Sequence, residues 1–279
     1  MDLLEVELTD SEFRNLSSLI HERCGINIQE HKKSLIKGRL AKRLKVLGLK
    51  KFKEYYEYIL KPANSEELVQ MIDAVSTNVT HFFREQAHFD FLRDYIIPDM
   101  IKRSKEGQAG KLRVWCAASS SGEEPYSLAM TFLEHFNGIQ GEDFMILGSD
   151  ISTRVLKAAQ DGVYTEDKLG GVSKSQRLKY FENGSQGQSK VKDSVKKYLV
   201  FKRINLMDNE FPFRNPLDVI FCRNVMIYFD KSTQQTLVQK FHNHLKPGGY
   251  LFLGHSEGLT GVKHKFSYVQ PSVYRKDAS

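Results

Sequence analysis

Residues 112–128, LRVWCAASSSGEEPYSL, run from an apolar stretch through small residues into two carboxylates, Pro125 and an apolar helical pattern. Leu112, Val114, Trp115 and Cys116 suit a buried parallel strand, and the small side chains of Ala117 to Gly122 let a ligand approach the backbone closely. Pro125 belongs in the first turn of a helix, where its missing N–H would have no intrahelical partner. The stretch therefore reads as strand, tight turn and helix, the corner at which doubly wound α/β folds bind nucleotides. The dinucleotide pattern G-x-G-x-x-G is absent, and the helix opens on Glu123 and Glu124. Two carboxylates repel a pyrophosphate but suit a ligand carrying a cation and ribose hydroxyls. S-adenosylmethionine is such a ligand, with a sulfonium, an ammonium, a ribose and no phosphate. The same glutamates would also complement the positive end of the helix dipole. On this stretch alone the two readings stand level.

The 279 residues can hold one large domain or two small ones, and two is the reading adopted. A formal charge of +7 favours an acidic partner, whether nucleic acid, membrane surface or protein. Cys24, Cys116 and Cys222 are odd in number and share no C-x-x-C spacing, which argues for a reduced interior and against a metal or disulfide framework. The opening MDLLEVELTD lacks the basic segment and apolar core of a secretion signal, and no apolar run approaches the length of a membrane span. A cytoplasmic location without direct membrane insertion is expected.

Thr9 to about Val75 read as helices, with Thr9-x-x-Glu12 forming a capping box ahead of Phe13, Leu16, Leu19 and Ile20. His31 to Lys53 contains ten Lys or Arg and no Asp or Glu. Ile36, Leu40, Leu44 and Leu47 mark its buried face, and Lys32, Arg39 and Arg43 form a stripe beside it, with Lys42 nearby. Such a basic helix is most often a solvated face. A stripe bordering an apolar face could also seat an acidic amphipathic helix.

A helical domain over 1–75 is thus expected, then a linker over 76–90 and an α/β domain over 91–279. Within the linker, STNVTHFFRE (76–85) joins Thr77, Asn78 and Thr80 to Phe82, Phe83 and Arg84. It reads either as a helix cap followed by a docking aromatic pair or as a hinge that closes over a cofactor, with Arg84 reaching an anionic group. His81 and His88 lack a partner at ligand spacing, so no metal is expected.

Asp143 to Asp150 reads as a second buried strand ending in an acid, the position that bonds ribose hydroxyls in nucleotide-binding α/β folds. Ile151 to Ala159 resumes a helix. Residues 162–197 read as an insertion containing a short helix, SKSQRLKYF, and ending in a hairpin of Lys190 to Val195 with Tyr198 to Phe201. Asn205 and Leu206 follow a strand, and LDVIFCRN (217–224) is the next one, continuing into VMIYF. Gln234 to Leu245 are helical, Tyr250 to Gly254 form a strand, and Ser267 to Lys276 suit a terminal hairpin. The alternation predicts a doubly wound, Rossmann-like parallel sheet.

The runs TNVTHFFRE, SSSGEEPYSLAM, FCRNVMIYFDKSTQ and LKPGGYLFLGHSE make the chain resemble the CheR-type chemotaxis receptor methyltransferases. These use S-adenosylmethionine to esterify glutamate side chains on chemoreceptors, leaving S-adenosylhomocysteine. The resemblance covers nearly the whole chain. It implies a cofactor site at Asn78, Thr80, Arg84, Glu123, Asp150, Asn205, Leu206, Arg223 and Asn224, with Arg84 and Tyr228 closest to the transferring methyl group. It also implies docking of acidic receptor helices on Arg39, Lys42 and Arg43, a small β-subdomain at 162–197, and a monomer. The subdomain tip FENGSQGQSKV looks shorter than in members that grip a receptor tail, which argues against such a tether.

Two rival readings are a nucleic-acid methyltransferase and a non-catalytic regulator that binds the cofactor. Against the first, Asn224 is followed by Val225 and Met226 rather than by the Pro-Pro of amino-methylating enzymes. Against the second stand the intact Arg84, Asp150 and Tyr228.

Overall fold

The computed structural model describes residues 6–105, 111–135 and 144–277, so Asp143 of the expected second strand lies outside the described residues. Helix α1 (Asp10–Cys24) begins on the expected capping box: Glu12 N–H donates to Thr9 Oγ1 at 3.3 Å and Thr9 N–H to Glu12 Oε2 at 2.9 Å. It stops at Gly25, whose φ of 74° is costly for other residues. Helices α2 (Lys33–Leu47), α3 (Phe52–Ile59) and α4 (Ser65–Val75) close a separate core around Leu16, Ile20, Leu40, Leu44, Phe52 and Tyr55. The buried face of α2 is Ile36, Leu40, Ala41 and Leu44, while Leu47 is only half-buried.

After the linker, α5 (Gln86–Phe91) passes through a wider turn at Leu92–Ile96 into α6 (Ile97–Lys105). The α/β layer follows as β1 (Leu112–Ala117), α7 (Glu123–His135), β2 (Phe144–Asp150) and α8 (Thr153–Asp161). The insertion holds β3 (Val163–Tyr164), α9 (Lys174–Tyr180), β4 (Phe181–Asn183), β5 (Ser189–Val191) and α10 (Asp193–Lys196). The main sheet resumes with β6 (Leu199–Arg203), β7 (Leu217–Cys222), α11 (Lys231–His244), β8 (Leu245–Leu253), β9 (Phe266–Gln270) and β10 (Val273–Lys276).

The seven-stranded sheet has the order β6-β2-β1-β7-β8-β10-β9. It is parallel from β6 to β8, and β10 runs against both of its neighbours. Both faces of β1 are covered: Val114 and Cys116 enter one core, Trp115 and Ala117 the other. A near-continuous apolar run is what a parallel strand buried on both faces requires. Because β1 lies between β2 and β7, the chain reverses direction across the sheet there. A crevice opens at the carboxyl ends of the strands.

Three local expectations are corrected. The hairpin of Lys190 to Val195 with Tyr198 to Phe201 does not form: β5 pairs with β3 and β4 in a small sheet of order β3-β5-β4, and β6 joins the main sheet beside β2. Val191 and Val195 both turn into the core, with α10 between the strands, so the segment cannot fold back as a ladder. The hairpin turn lies instead at 184–188, where Gln186 and Gly187 adopt φ of 54° and 73°. Next, VMIYF is no strand: Met226–Tyr228 form a single 3-10 turn. Finally, β8 starts at Leu245, and the Pro247-Gly248-Gly249 run sits inside it as an irregularity opposite Leu217 and Val219.

Candidate active site

The crevice at the switch point is a cleft of about 990 Å³, part of it open to solvent. Its walls come from the linker (Ser76 to Thr80, Arg84), the β1 corner (Ala118 to Ser120, Glu124) and the ends of β2 (Asp150, Ile151) and β6 (Ile204 to Leu206). The β7 corner (Arg223 to Val225, Tyr228, Phe229) and the end of α1 with the loop after it (Cys24, Ile26) complete it. Asn78, Thr80, Arg84, Asp150, Asn205, Leu206, Arg223, Asn224 and Tyr228 therefore share one cavity, although they span much of the chain.

Glu123 does not line this cleft; Glu124 does. Glu123 is fully buried, accepts from Ser121 Oγ at 2.7 Å and lies 3.7 Å from Lys168 Nζ of the insertion. Burial pushes its carboxyl above the usual range. One residue turns a helix by about 100°, so the choice between adjacent glutamates rests on the helix's rotation.

The β1 corner is held by backbone geometry. Ala118, Ser120 and Gly122 take φ of 59°, 49° and 95°. A Cβ on Gly122 would come within 2.9 Å of Ala159 Cβ and 3.0 Å of Tyr164 Oη, so a glycine is needed there. Ser120 N–H donates to Asp150 Oδ2 at 2.9 Å and Ser152 N–H to Oδ1 at 3.0 Å, so Asp150 ties the β1 corner to the β2 corner. Burial raises its pKa against the pull of these donors.

Asn78 Nδ2 and Ser119 Oγ are buried in the cleft wall without a hydrogen-bond partner. Leaving such a group unpaired costs about 1–3 kcal/mol. The orphaned groups fit a ligand rich in acceptors, as S-adenosylmethionine is in its adenine nitrogens, ribose oxygens and carboxylate. Asp150 and Glu124 add carboxylates, which are acceptors, to the lining of the same cleft.

Two arginines meet in the same cleft. The Arg223 side chain has no exposure; it donates to Glu124 Oε2 at 2.5 Å, to the Arg84 carbonyl at 2.6 Å and to Glu85 Oε2 at 2.8 Å. Burial of Glu85 works against ionisation, but the bonds from Arg223, His255 N–H and Asn224 outweigh it and hold the carboxyl down at about 2. Arg84 instead donates to the Val79 carbonyl at 3.0 Å, stays 4.0 Å from Glu85 and keeps 30% of its side chain exposed.

The helical module forms part of the same wall. Asn27 N–H donates to the Tyr228 carbonyl at 2.8 Å, Asn205 Nδ2 to the Arg23 carbonyl at 2.6 Å, and Lys32 Nζ sits 5.6 Å from the Tyr228 ring centre. The basic stripe on α2 is divided. Arg43 makes a two-pronged bond to Glu67 at 2.9 and 2.6 Å, which Tyr55 Oη also meets at 2.9 Å. Arg39 donates to the carbonyls of Val75 and Ser76 at 2.5 and 3.2 Å, anchoring the start of the linker, whereas Lys42 is exposed. Arg43 thus has an internal role that its spacing on the helix did not show.

His88 gains neighbours that the sequence did not place beside it. Its ring, Glu85 and His255 bring ligand atoms within 4.8 Å of one another. Glu85 Oε2 already accepts from Arg223 at 2.8 Å and from His255 N–H at 3.0 Å, so this carboxylate faces donors and is engaged in the protein's own network.

The comparisons with known proteins agree with this geometry. A family model described as "CheR methyltransferase, SAM binding domain" matches residues 78–275, and one described as "CheR methyltransferase, all-alpha domain" matches residues 11–76. A chemotaxis protein methyltransferase of Borreliella burgdorferi is 41% identical over 98% of this chain and 97% of its own. A probable chemotaxis protein methyltransferase of Rhizobium etli is 42% identical over 92% and 96%, and one from Escherichia coli 38% over 96% and 91%. The chain thus carries an S-adenosylmethionine-binding domain behind an all-α domain and belongs to the CheR methyltransferase family.

Proposed function

We propose that this chain transfers a methyl group to glutamate side-chain carboxylates of methyl-accepting chemotaxis receptors, producing methyl esters. The observation that carries this reading is the contrast between the two cleft arginines. Arg223 is closed off by two carboxylates, while Arg84, 4.0 Å from Glu85, keeps 30% of its side chain exposed for an incoming anion. The relatives named chemotaxis protein methyltransferases supply the receptor context.

S-adenosylmethionine, when bound, supplies an electrophilic methyl group. The chain's own residues need not remove a proton, because a glutamate of reference pKa about 4.3 arrives ionised at neutral pH. Positioning is their main task, and it can supply roughly 7–11 kcal/mol of a barrier in favourable cases. Arg84 orients the carboxylate and the Tyr228 hydroxyl donates to it. Too strong a bond from Arg84 would stabilise the charged ground state more than the charge-dispersed transition state, so orientation rather than tight binding is its role. Asn78, Asp150, Asn205 and Leu206 hold the cofactor end of the cleft. Lys42 and the exposed parts of α2 face an acidic receptor helix.

The test is incubation with methyl-labelled S-adenosylmethionine and membranes carrying the host's chemoreceptors. Label on the receptor band that alkali releases as methanol is expected. Alkali-stable label would place the methyl on another atom, and cofactor binding without label would leave a regulator.

A further inference from the structure

The corner after β7 carries Arg223, Asn224 and Tyr228, yet its own sequence does little to hold its shape. Asn224 sits at φ 59°, a region that costs a typical L-residue roughly 1–2 kcal/mol and that asparagine tolerates better than most. The turn Met226–Tyr228 has no side-chain cap from the residue before it. The missing acceptor comes from about thirty residues away in sequence. Glu257, in the loop after β8 and 8% exposed, receives the N–H of Asn224 at 2.7 Å and of Gly254 at 2.6 Å on Oε2, and that of Ile227 at 3.1 Å on Oε1. A carboxylate is the side chain suited to this, since all its lone pairs accept.

The loop around Glu257 is itself fixed. Ser272 Oγ, from the turn between β9 and β10, lies 2.9 Å from the Gly254 carbonyl and 3.1 Å from that of Glu257. A Cβ at Gly254 would stand 2.5 Å from Asn224 Nδ2 and 2.8 Å from Glu257 Oε2, so the close approach of carboxylate and asparagine depends on a glycine.

We infer that Glu257 is a positioning residue for methyl transfer: its carboxylate clamps the backbone of Asn224 and Ile227 and so aims Asn224 and Tyr228 into the cleft, without lining the cleft itself. The inference rests on the proposed role of Tyr228 and on the placement of Asn224. It explains how a corner with a left-handed asparagine and a single 3-10 turn can hold two functional side chains in fixed directions. Preorganisation of this kind needs supporting groups that never meet the substrate.

Glu257→Gln tests it, because the amide keeps the shape but replaces one acceptor with a donor facing a backbone N–H. Hydrogen exchange at the Asn224 and Ile227 amides should quicken at least tenfold, and turnover should fall at least tenfold. Combined with Tyr228→Phe, the two losses should be less than multiplicative, because both act through one side chain. Glu257→Asp, which keeps the charge with a shorter reach, should recover part of both effects, and it carries the same comparison should the Gln variant not fold. Unchanged exchange at those amides, or losses that multiply fully, would overturn the inference. If Tyr228→Phe alone left turnover intact, the Tyr228 reading would fail by itself. Glu257 would then stand only if its Gln variant weakened cofactor binding at least threefold through Asn224.

Discussion

The linker before α5 and the corner after β7 each bring one arginine to the same cleft, and they use it in opposite ways. Arg223 has no exposure and is tied to Glu85, Glu124 and the Arg84 carbonyl. Arg84 donates to the Val79 carbonyl, lies 4.0 Å from Glu85 and keeps 30% of its side chain exposed. Residue type alone does not separate them. What differs is how closely carboxylates enclose each guanidinium: two bond Arg223 directly, whereas Arg84 lies 4.0 Å from one of them.

The sharpest way to break this comparison is Arg223→Ala. It leaves the largely enclosed Glu85 and Glu124 without the fully buried counter-charge they share, and removing one partner of such a group costs about 3–5 kcal/mol. Urea unfolding should show that loss, whereas the same change at Arg84 should leave the midpoint nearly where it was. Equal destabilisation by both variants would erase the distinction.

Asp150→Ala sharpens it from a third strand end. Asp150 lies in the cleft away from the arginine network and ties two backbone corners together. Loss of a charged hydrogen bond to the cofactor should weaken calorimetric affinity by about 1.5–3 kcal/mol. Turnover at saturating cofactor should fall far less.

A pH-dependent effect concerns His88, which packs beside the same network. Burial, then the charge of Arg223, hold its imidazole at about 4, below the ordinary 6.5. The unfolded chain takes up that proton first, so its neutral burial favours the folded state above about pH 6.5 and this contribution is lost as pH falls toward about 4. His88→Leu should flatten that part of the stability profile, measured as urea midpoints between pH 7 and pH 4. Glu85 adds a second loss at lower pH, since its carboxyl is held at about 2 against an ordinary 4.5.

Local features were legible in the sequence. Thr9 and Glu12 sit three residues apart and form their capping box, and the run from Leu112 to Leu128 gives its strand, corner and helix. What sequence could not supply were phase and distance. Adjacent glutamates at 123 and 124 differ by a 100° rotation that only the packed helix sets. Residues 190–201 show apolar positions that suit a hairpin or an edge strand equally, and the choice fell to the core, which drew in Val191 and Val195. Glu85 with Arg223 is a pair 138 residues apart and Glu257 with Asn224 one 33 apart, and like His88 with His255 they meet across a sheet that no spacing rule spans. Arg43 looked like a surface charge until α4 brought Glu67 beside it.

The most direct measurement is Arg84→Ala examined for two quantities at once, turnover on receptor and calorimetric affinity for S-adenosylmethionine. If Arg84 orients the substrate, turnover should fall at least a hundredfold while cofactor affinity stays within about tenfold, or about 1.4 kcal/mol. Cofactor binding abolished together with turnover would make Arg84 a cofactor ligand first, and the division of labour between the two arginines would be wrong.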